Sequence, residues 1–332
     1  LQEAVDRAGE VFAPEDILIA TGRHLRDAIL EEGAAGLPPG NVIAEPSKRN
    51  TGGCLCYAAA TILAREGVEH AHRISMAVLT ADHSVEGPEE FAETVRVALD
   101  AAERSGALVT IGVKPSRPET GYGHIEYDPS GDRAPGSRPG CPVHSVKRFL
   151  EKPDEELARQ FFESNRFLWN AGMFFWTLGA FLEELTEARP EMGRIAREMA
   201  EAQSRGSEDE VTDLFASLPN LSIDYALMER ARRVLVVPAL FGWDDVGAWD
   251  ALARAFPTDE RGNVVFGDSI PLETSGSILY NAAGGEATLV AVGVENLVLV
   301  VSQDAVLVVP KDRAQDVKQA VKILRDRNSD RI

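Results

Sequence analysis

Two acidic residues have the surroundings that divalent-metal chemistry requires. Asp82 follows an apolar run in Leu79-Thr80-Ala81-Asp82-His83, and Asp245 lies in the aromatic-flanked turn Gly242-Trp243-Asp244-Asp245-Val246-Gly247. Carboxylates so placed can face a cleft without entering a core. A pair drawn from distant chain positions suits Mg²⁺, which takes one or two carboxylates and completes its shell with water and phosphate oxygens. The same residues also read as a helix cap at Asp82 and a solvated loop at Asp244-Asp245. Glu151-Lys152-Pro153 ends a strand and opens a helix, as a charged site pair or a surface ion pair. In Trp169-Asn170-Ala171-Gly172, ahead of an aromatic strand, Asn170 can donate and accept at a sugar hydroxyl or close a local turn. Glu45-Pro46 and Asn50-Thr51-Gly52-Gly53 bracket a loop entering a helix, whose free N–H groups either meet a base edge or are capped. His83 and His124 lack metal-ligand spacing. There is no Gly-x-Ser-x-Gly elbow and no His-Glu-x-x-His pair, so acyl transfer and zinc hydrolysis lose their usual sequence support.

The elements that must position these residues alternate. Residues 2–10 read as the end of a helix, followed by a strand at Asp16–Ala20, a helix from His24 to Glu32 and a strand at Asn41–Ala44. A helix from Thr51 to Arg65 ends at Gly67, the strand Met76–Leu79 gives way to a helix after Pro88, and Ala107–Val113 is the next strand. Such alternation predicts a parallel α/β sheet with ligands at the carboxyl ends of its strands. Extended segments at Tyr122–Tyr127 and Ser145–Leu150 flank a Pro/Gly/Ser-rich loop. Helices are expected at 154–164, 179–187, 190–203 and about 222–231, with strands at Gly172–Thr177 and Val234–Pro238. From Gly262 the texture changes to short, closely spaced β runs closed by a helix at Arg313–Arg327, so a boundary is placed near Pro257–Gly262. This gives a segment 1–258 and a smaller one, 259–332.

The chain has 332 residues, and 34 Lys+Arg against 53 Asp+Glu leave a net charge of −19. That field repels polyanions, and only short basic groupings such as Lys147-Arg148 interrupt it, which argues against nucleic acid as a partner. No apolar run approaches membrane-span length. Three cysteines make neither a disulfide framework nor a zinc set, and point to a reducing cytoplasm. Leu1 is not an initiator Met and no secretory signal follows it, so the numbering is expected to begin inside a longer protein or after processing.

The order and spacing of seven motifs say more than any one of them. Glu45-Pro46…Asn50-Thr51, Ala81-Asp82-His83, Gly121-Tyr122-Gly123, Glu151-Lys152-Pro153, Trp169-Asn170-Ala171-Gly172-Met173-Phe174, Ser222-Ile223-Asp224-Tyr225…Met228-Glu229 and Trp243-Asp244-Asp245-Val246-Gly247…Trp249 together resemble the mannose-1-phosphate guanylyltransferase family over roughly residues 10–325. The resemblance implies a Rossmann-like nucleotidyltransferase domain with a mixed, mostly parallel sheet, followed by a small left-handed β-helix domain. It also implies the reaction GTP + α-D-mannose 1-phosphate ⇌ GDP-mannose + diphosphate. On that resemblance Asp82 and Asp245 would hold Mg²⁺, Glu45, Asn50 and Thr51 would form the guanine side, Gly123, Glu151 and Asn170 would contact mannose, and Lys152 would stand beside the phosphate.

The chain departs from the family pattern in three places. The family's loop Gly-Gly-x-Gly-x-Arg-x-x-Pro, followed by Lys, wraps the nucleotide phosphates, and nothing in residues 1–50 matches it. The chain as given is therefore expected to be inactive or nearly so. Gly52-Gly53 stands where the family usually has Ala-Pro, and His124 where it often has Tyr. Competing expectations are a non-catalytic GDP-mannose-binding regulatory subunit, or a nucleotidyltransferase for another sugar 1-phosphate and NTP pair. The apolar β runs of the second segment suit either a homodimer contact or that segment's own core.

Overall fold

The computed structural model describes residues 1–31 and 36–327. It opens with α1 (Gln2–Gly9), β1 (Ile19–Gly22), α2 (Arg23–Glu31) and β2 (Val42–Glu45), where β1 and β2 pair in parallel. There follow α3 (Asn50–Glu66), β3 (Ser75–Val78), β4 (Ser84–Glu86), α4 (Pro88–Ser105), β5 (Leu108–Val113), β6 (Gly123–Tyr127) and β7 (His144–Glu151). Then come α5 (Glu155–Ser164), β8 (Phe167–Thr177), α6 (Leu178–Ala188), α7 (Pro190–Ser204), α8 (Glu208–Ser217), β9 (Val234–Pro238) and β10 (Gly242–Asp244). Glu32, the expected end of the helix from His24, lies outside the described residues, as does 328–332 of the second segment. The first strand starts later than Asp16 because Pro14–Asp16 forms a 3-10 turn. Helix ends follow local chemistry: Pro88 opens α4 and left-handed Gly106 closes it, the Asp154 carboxylate accepts the Leu157 N–H (2.9 Å), and the Thr177 hydroxyl accepts the Ala180 N–H (3.2 Å).

The main sheet has six strands in the order β3-β8-β5-β9-β7-β6, and β6 also pairs with β8. Alternate residues feed two cores. Leu108, Phe174, Trp176, Val234 and Val236 face α3, α6 and α7, whereas Val109, Ile111, Phe175, Leu235 and Val237 face α4. The sheet is mixed, as expected, but parallel partners do not predominate in it. Among the described residues of this sheet only β5–β9 run in parallel, and the pairs β3–β8, β5–β8, β7–β9, β6–β7 and β6–β8 are antiparallel. The reason is β8, an 11-residue strand that runs against three neighbours.

β8 also corrects the reading of Trp169-Asn170-Ala171-Gly172 as a turn ahead of a strand. These residues lie within β8, at an irregularity where Thr110 pairs with Phe174 but Gly112 pairs with Asn170. One β5 residue, Ile111, thus spans the gap opposite Ala171, Gly172 and Met173. Gly172 has φ 68°, the positive value that such a bulge demands and that glycine adopts without penalty. The expected helix at about 222–231 is instead a short π-helical turn, Asp224–Met228, and α8 was not legible in the sequence.

Close contacts divide the chain into two units, 1–81 with 85–243, and 82–84 with 244–332. The second contains α9 (Leu252–Ala255), β11 (Val264–Phe266), β12 (Ser269–Leu272), β13 (Ile278–Asn281), β14 (Leu289–Val292), β15 (Leu297–Val301), β16 (Val306–Pro310) and α10 (Val317–Asp326). β11, β13 and β15 stack in parallel with Val264, Ile278 and Val298 in register and buried, and β12 stacks on β14 in the same sense. The buried Asn263 ties the turns together: its amide donates to the Thr274 carbonyl (2.8 Å) and its oxygen accepts the Ser277 N–H (2.9 Å). The stretch expected to be one helix from Arg313 is divided into a 3-10 segment, Lys311–Asp316, and α10.

Gly112 has no room for a side chain, since an added Cβ would stand 2.6 Å from Leu168 Cδ1 and 2.8 Å from Val236 Cγ2. Gly112→Ala is expected to lower stability by about 1–3 kcal/mol in urea denaturation, the usual cost of overpacking. An unchanged midpoint would contradict the tight β5–β8–β9 packing.

Candidate functional site

Three strands of the first unit bring to one place the residues expected to contact the sugar. Gly123 opens β6, Glu151 ends β7 directly opposite it, and Asn170 comes from the β8 bulge. A Cβ on Gly123 would lie 2.6 Å from Glu151 Oε2 and 3.1 Å from Asn170 Cβ, so the glycine keeps that space clear. The Asn170 amide is held at both ends. Its Oδ1 accepts from the Thr110 hydroxyl (2.9 Å) and the Gly172 N–H (3.2 Å), and its Nδ2 donates to Asp224 Oδ1 (3.1 Å). Its oxygen is occupied, and what remains for a ligand is the second N–H of Nδ2.

Glu151 and Asn170 are each only 8% exposed, and three carboxylates, Glu151, Asp224 and Glu229, gather there around one lysine. Lys152 Nζ donates to Glu151 Oε1, and Glu229 Oε1 accepts the Glu151 N–H (2.9 Å). Burial raises the Glu151 carboxyl above its ordinary range and the charge of Asp224 adds to this, against the opposing pull of Lys152. Burial likewise raises Asp224, with Lys152 opposing. Lys152 is held above its own ordinary value, because its hydrogen bond and charge interaction with Glu151 outweigh burial.

The π-turn explains how Asp224 and Glu229 share this site. Side chains five residues apart on an α-helix point about 140° apart. The wider turn, closed by the Glu229 N–H on the Asp224 carbonyl (3.0 Å), brings them to one face. Neither had been given a role from the sequence, although both stood in the Ser222-Ile223-Asp224-Tyr225…Met228-Glu229 motif; Thr110 gave no signal at all. Tyr122 was also missed. It packs edge-on against Trp169 and Trp243 (both 5.3 Å between centroids), joining three of the motifs through their rings.

Of the residues expected to meet guanine, Glu45 ends β2 and hydrogen-bonds the Cys54 thiol of α3. Burial raises the Glu45 carboxyl, and burial with the nearby Glu45 pushes Cys54 up to about 12, so this thiol is protonated at neutral pH and donates. Asn50 and Thr51 begin α3. Asn50 has φ 58° and its Oδ1 accepts the Thr51 N–H (2.8 Å), while the Thr51 hydroxyl oxygen accepts the Ile223 N–H (2.9 Å).

Asp82 and Asp245 both belong to the second unit. Asp82 stands two residues before β4 with an 86% exposed side chain, 3.8 Å from His83 Nε2. Asp245 directly follows β10, and β4 and β10 pair with each other. An added Cβ on Gly242 would sit 3.1 Å from Glu86 Cβ. Asp244 is engaged by the Arg254 fork (2.5 and 3.2 Å) and by the Val246 N–H (2.9 Å). Among the described residues no group of three or more His, Cys, Asp or Glu side chains forms a metal site of its own. Two carboxylates would suit a Mg²⁺ that drew its other ligands from water and phosphate. Lys152 and Val246 both have φ 48°, a costly conformation for non-glycine residues and most of all for a β-branched one. With Asn50, left-handed non-glycine backbone thus lies within three of the seven motifs.

Elsewhere on the first unit, an open hollow of about 540 Å³ beside Glu184, Glu187, Arg232 and Arg233 contains none of the motif residues. Two of its arginines already pair within it, Arg232 with Glu187 at 2.9 Å and Arg233 with Glu184 at 3.6 Å.

Residues 14–262 match the family described as Nucleotidyl transferase, and residues 267–324 match the MannoseP isomerase/GMP-like beta-helix domain. The chain is 35% identical over 328 residues to a mannose-1-phosphate guanylyltransferase of Klebsiella pneumoniae, covering 98% of this chain and 66% of that protein. It is 35% identical over 327 residues to the xanthan biosynthesis protein XanB of Xanthomonas campestris, again covering 98% and 66%. The chain thus spans just under two thirds of the length of these relatives. A crystal structure from Thermus thermophilus, described as mannose-1-phosphate geranyltransferase, superposes with a TM-score of 0.79 at 33% identity, covering 97% of this chain and 88% of that one. These matches bear out the resemblance drawn from the motifs. Among the described residues no helix is long and apolar enough to cross a membrane.

A carboxyl raised in the folded state binds its proton more tightly there than in the unfolded chain. Its folded form is therefore favoured below the ordinary carboxylate range and loses that advantage as pH rises through the raised value. Asp224 and Glu151 both behave this way. Between about pH 7.5 and pH 5 the urea midpoint of the native protein is expected to shift toward greater stability relative to that of Asp224→Asn. A relative shift in the opposite direction would contradict the assignment.

Proposed function

We propose, for a chain that belongs to the nucleotidyl transferase family, Mg²⁺-dependent transfer of a guanylyl group from GTP to α-D-mannose 1-phosphate, giving GDP-mannose and diphosphate. The observation that carries this reading is the convergence of Gly123, Glu151, Lys152 and Asn170 from three strands into one hydrogen-bonded cluster. The name of the Klebsiella pneumoniae relative supports the choice of sugar and nucleotide.

In this reading the Glu151 carboxylate accepts from mannose hydroxyls and Asn170 donates its remaining N–H. Lys152, exchanging Glu151 for the sugar phosphate, neutralises the nucleophile's charge. A phosphate oxygen of the sugar attacks the α-phosphorus in line and diphosphate departs. The nucleophile is already anionic, so no general base is needed, and positioning with charge neutralisation carries the catalysis. Glu45, an acceptor, suits the N–H edge of guanine, with Asn50 and Thr51 beside it. Asp82 and Asp245 are the residues that would hold Mg²⁺, which when bound offsets phosphate charge. Residues 1–50 contain no glycine-rich phosphate loop, so turnover by the 332-residue chain is proposed to be slow, with each absent contact mattering by roughly 10²–10³-fold. The setting proposed is the cytoplasm, where Cys54, Cys56 and Cys141, all unpaired, would stay reduced.

A radiolabelled assay pairing GTP, ATP, UTP and dTTP with mannose 1-phosphate and glucose 1-phosphate tests the reading. GTP with mannose 1-phosphate is expected to react fastest, and a preference for dTTP with glucose 1-phosphate would contradict it. Asp82→Asn and Asp245→Asn are each expected to cut Mg²⁺-dependent turnover by roughly 10²-fold or more with little change in the urea midpoint. Unchanged turnover in either variant would remove that residue from the metal site.

A further inference from the structure

Residues 221–229 form a strap between the two sides of the first unit. At one end the Ile223 N–H donates to Thr51 Oγ1 (2.9 Å), and the Gly52 N–H donates to the Leu221 carbonyl (3.0 Å). At the other end Asp224 accepts from Asn170 (3.1 Å) and Glu229 accepts from the Glu151 backbone (2.9 Å). The approach is tight enough to dictate a residue type. A Cβ on Gly52 would stand 2.6 Å from the Leu221 oxygen, which accounts for glycine at a position where the resembled family usually has alanine.

Building on the proposed sugar site, we infer that Thr51 is a positioning residue for the sugar side. Its hydroxyl fixes the strap so that Asp224 and Glu229 hold Asn170 and Glu151 in their binding orientation. Ile223 immediately precedes Asp224, so an error in the backbone at Ile223 passes directly to the carboxylate that orients the Asn170 amide. Thr51 thereby acts through two hydrogen bonds on a residue 119 positions away, in addition to whatever it offers a nucleotide.

Thr51→Val removes the acceptor at nearly constant volume, and Thr51→Ser restores it. Amide hydrogen exchange across 221–229, measured without ligand, is expected to quicken about five- to ten-fold in Thr51→Val and not in Thr51→Ser, as the loss of one hydrogen bond implies. Calorimetric affinity for mannose 1-phosphate is expected to fall by about the same factor in Thr51→Val and to return in Thr51→Ser. Native-like exchange in Thr51→Val, or an affinity loss confined to GTP, would overturn the inference. Failure of the native chain to bind mannose 1-phosphate would overturn the nucleotidyl-transfer reading, while the ligand-free exchange measurement still decides the role of Thr51.

Discussion

The Asn170 amide cannot rotate. Its oxygen is taken by Thr110 and Gly172 and one of its N–H groups by Asp224, so a short polar side chain in a mostly apolar strand presents a single face. Each partner requires its own departure from regular structure. The Gly172 contact requires the β8 bulge, the Asp224 contact requires a π-turn, and the neighbouring Glu151 is placed by pairing with Gly123, where no side chain fits. A half-satisfied buried network is costly, and the second N–H of Asn170 Nδ2 is left here for a ligand to satisfy.

Charge makes the cluster selective. Three carboxylates around one lysine, within a chain of net charge −19, oppose a phosphate. The same carboxylates are strong acceptors for sugar hydroxyls. A ligand with many hydroxyls and one phosphate answers both conditions once Lys152 and a divalent cation offset the anion. A bare polyphosphate does not.

Much of this was legible in the sequence, and the rest was not for identifiable reasons. The helix from Asn50 and the helix opening at Pro88 announce themselves through apolar periodicity and Gly or Pro punctuation. The β runs after Gly262 are visible as short apolar segments, although β12, with its exposed Ile270 and Leu272, does not stand out among them. Trp169-Asn170-Ala171-Gly172 looks like a turn because Asn and Gly are turn formers, and only the long-range pairing with β5 makes it a bulge inside a strand. The predominance of antiparallel pairing is invisible for the same reason: strand and helix alternate along the chain, but β8 crosses the sheet against its neighbours. Asp224 carried no signal beyond its motif, since its role depends on a π-turn that no local pattern encodes.

The most direct test of the account is a crystal structure of the chain with mannose 1-phosphate. It is predicted to show sugar hydroxyls within hydrogen-bond range of the Glu151 carboxylate and Asn170 Nδ2, about 2.6–3.2 Å, with Lys152 turned from Glu151 to the phosphate. A sugar phosphate bound away from Glu151 and Asn170, or bound there with its phosphate remote from Lys152, would contradict it.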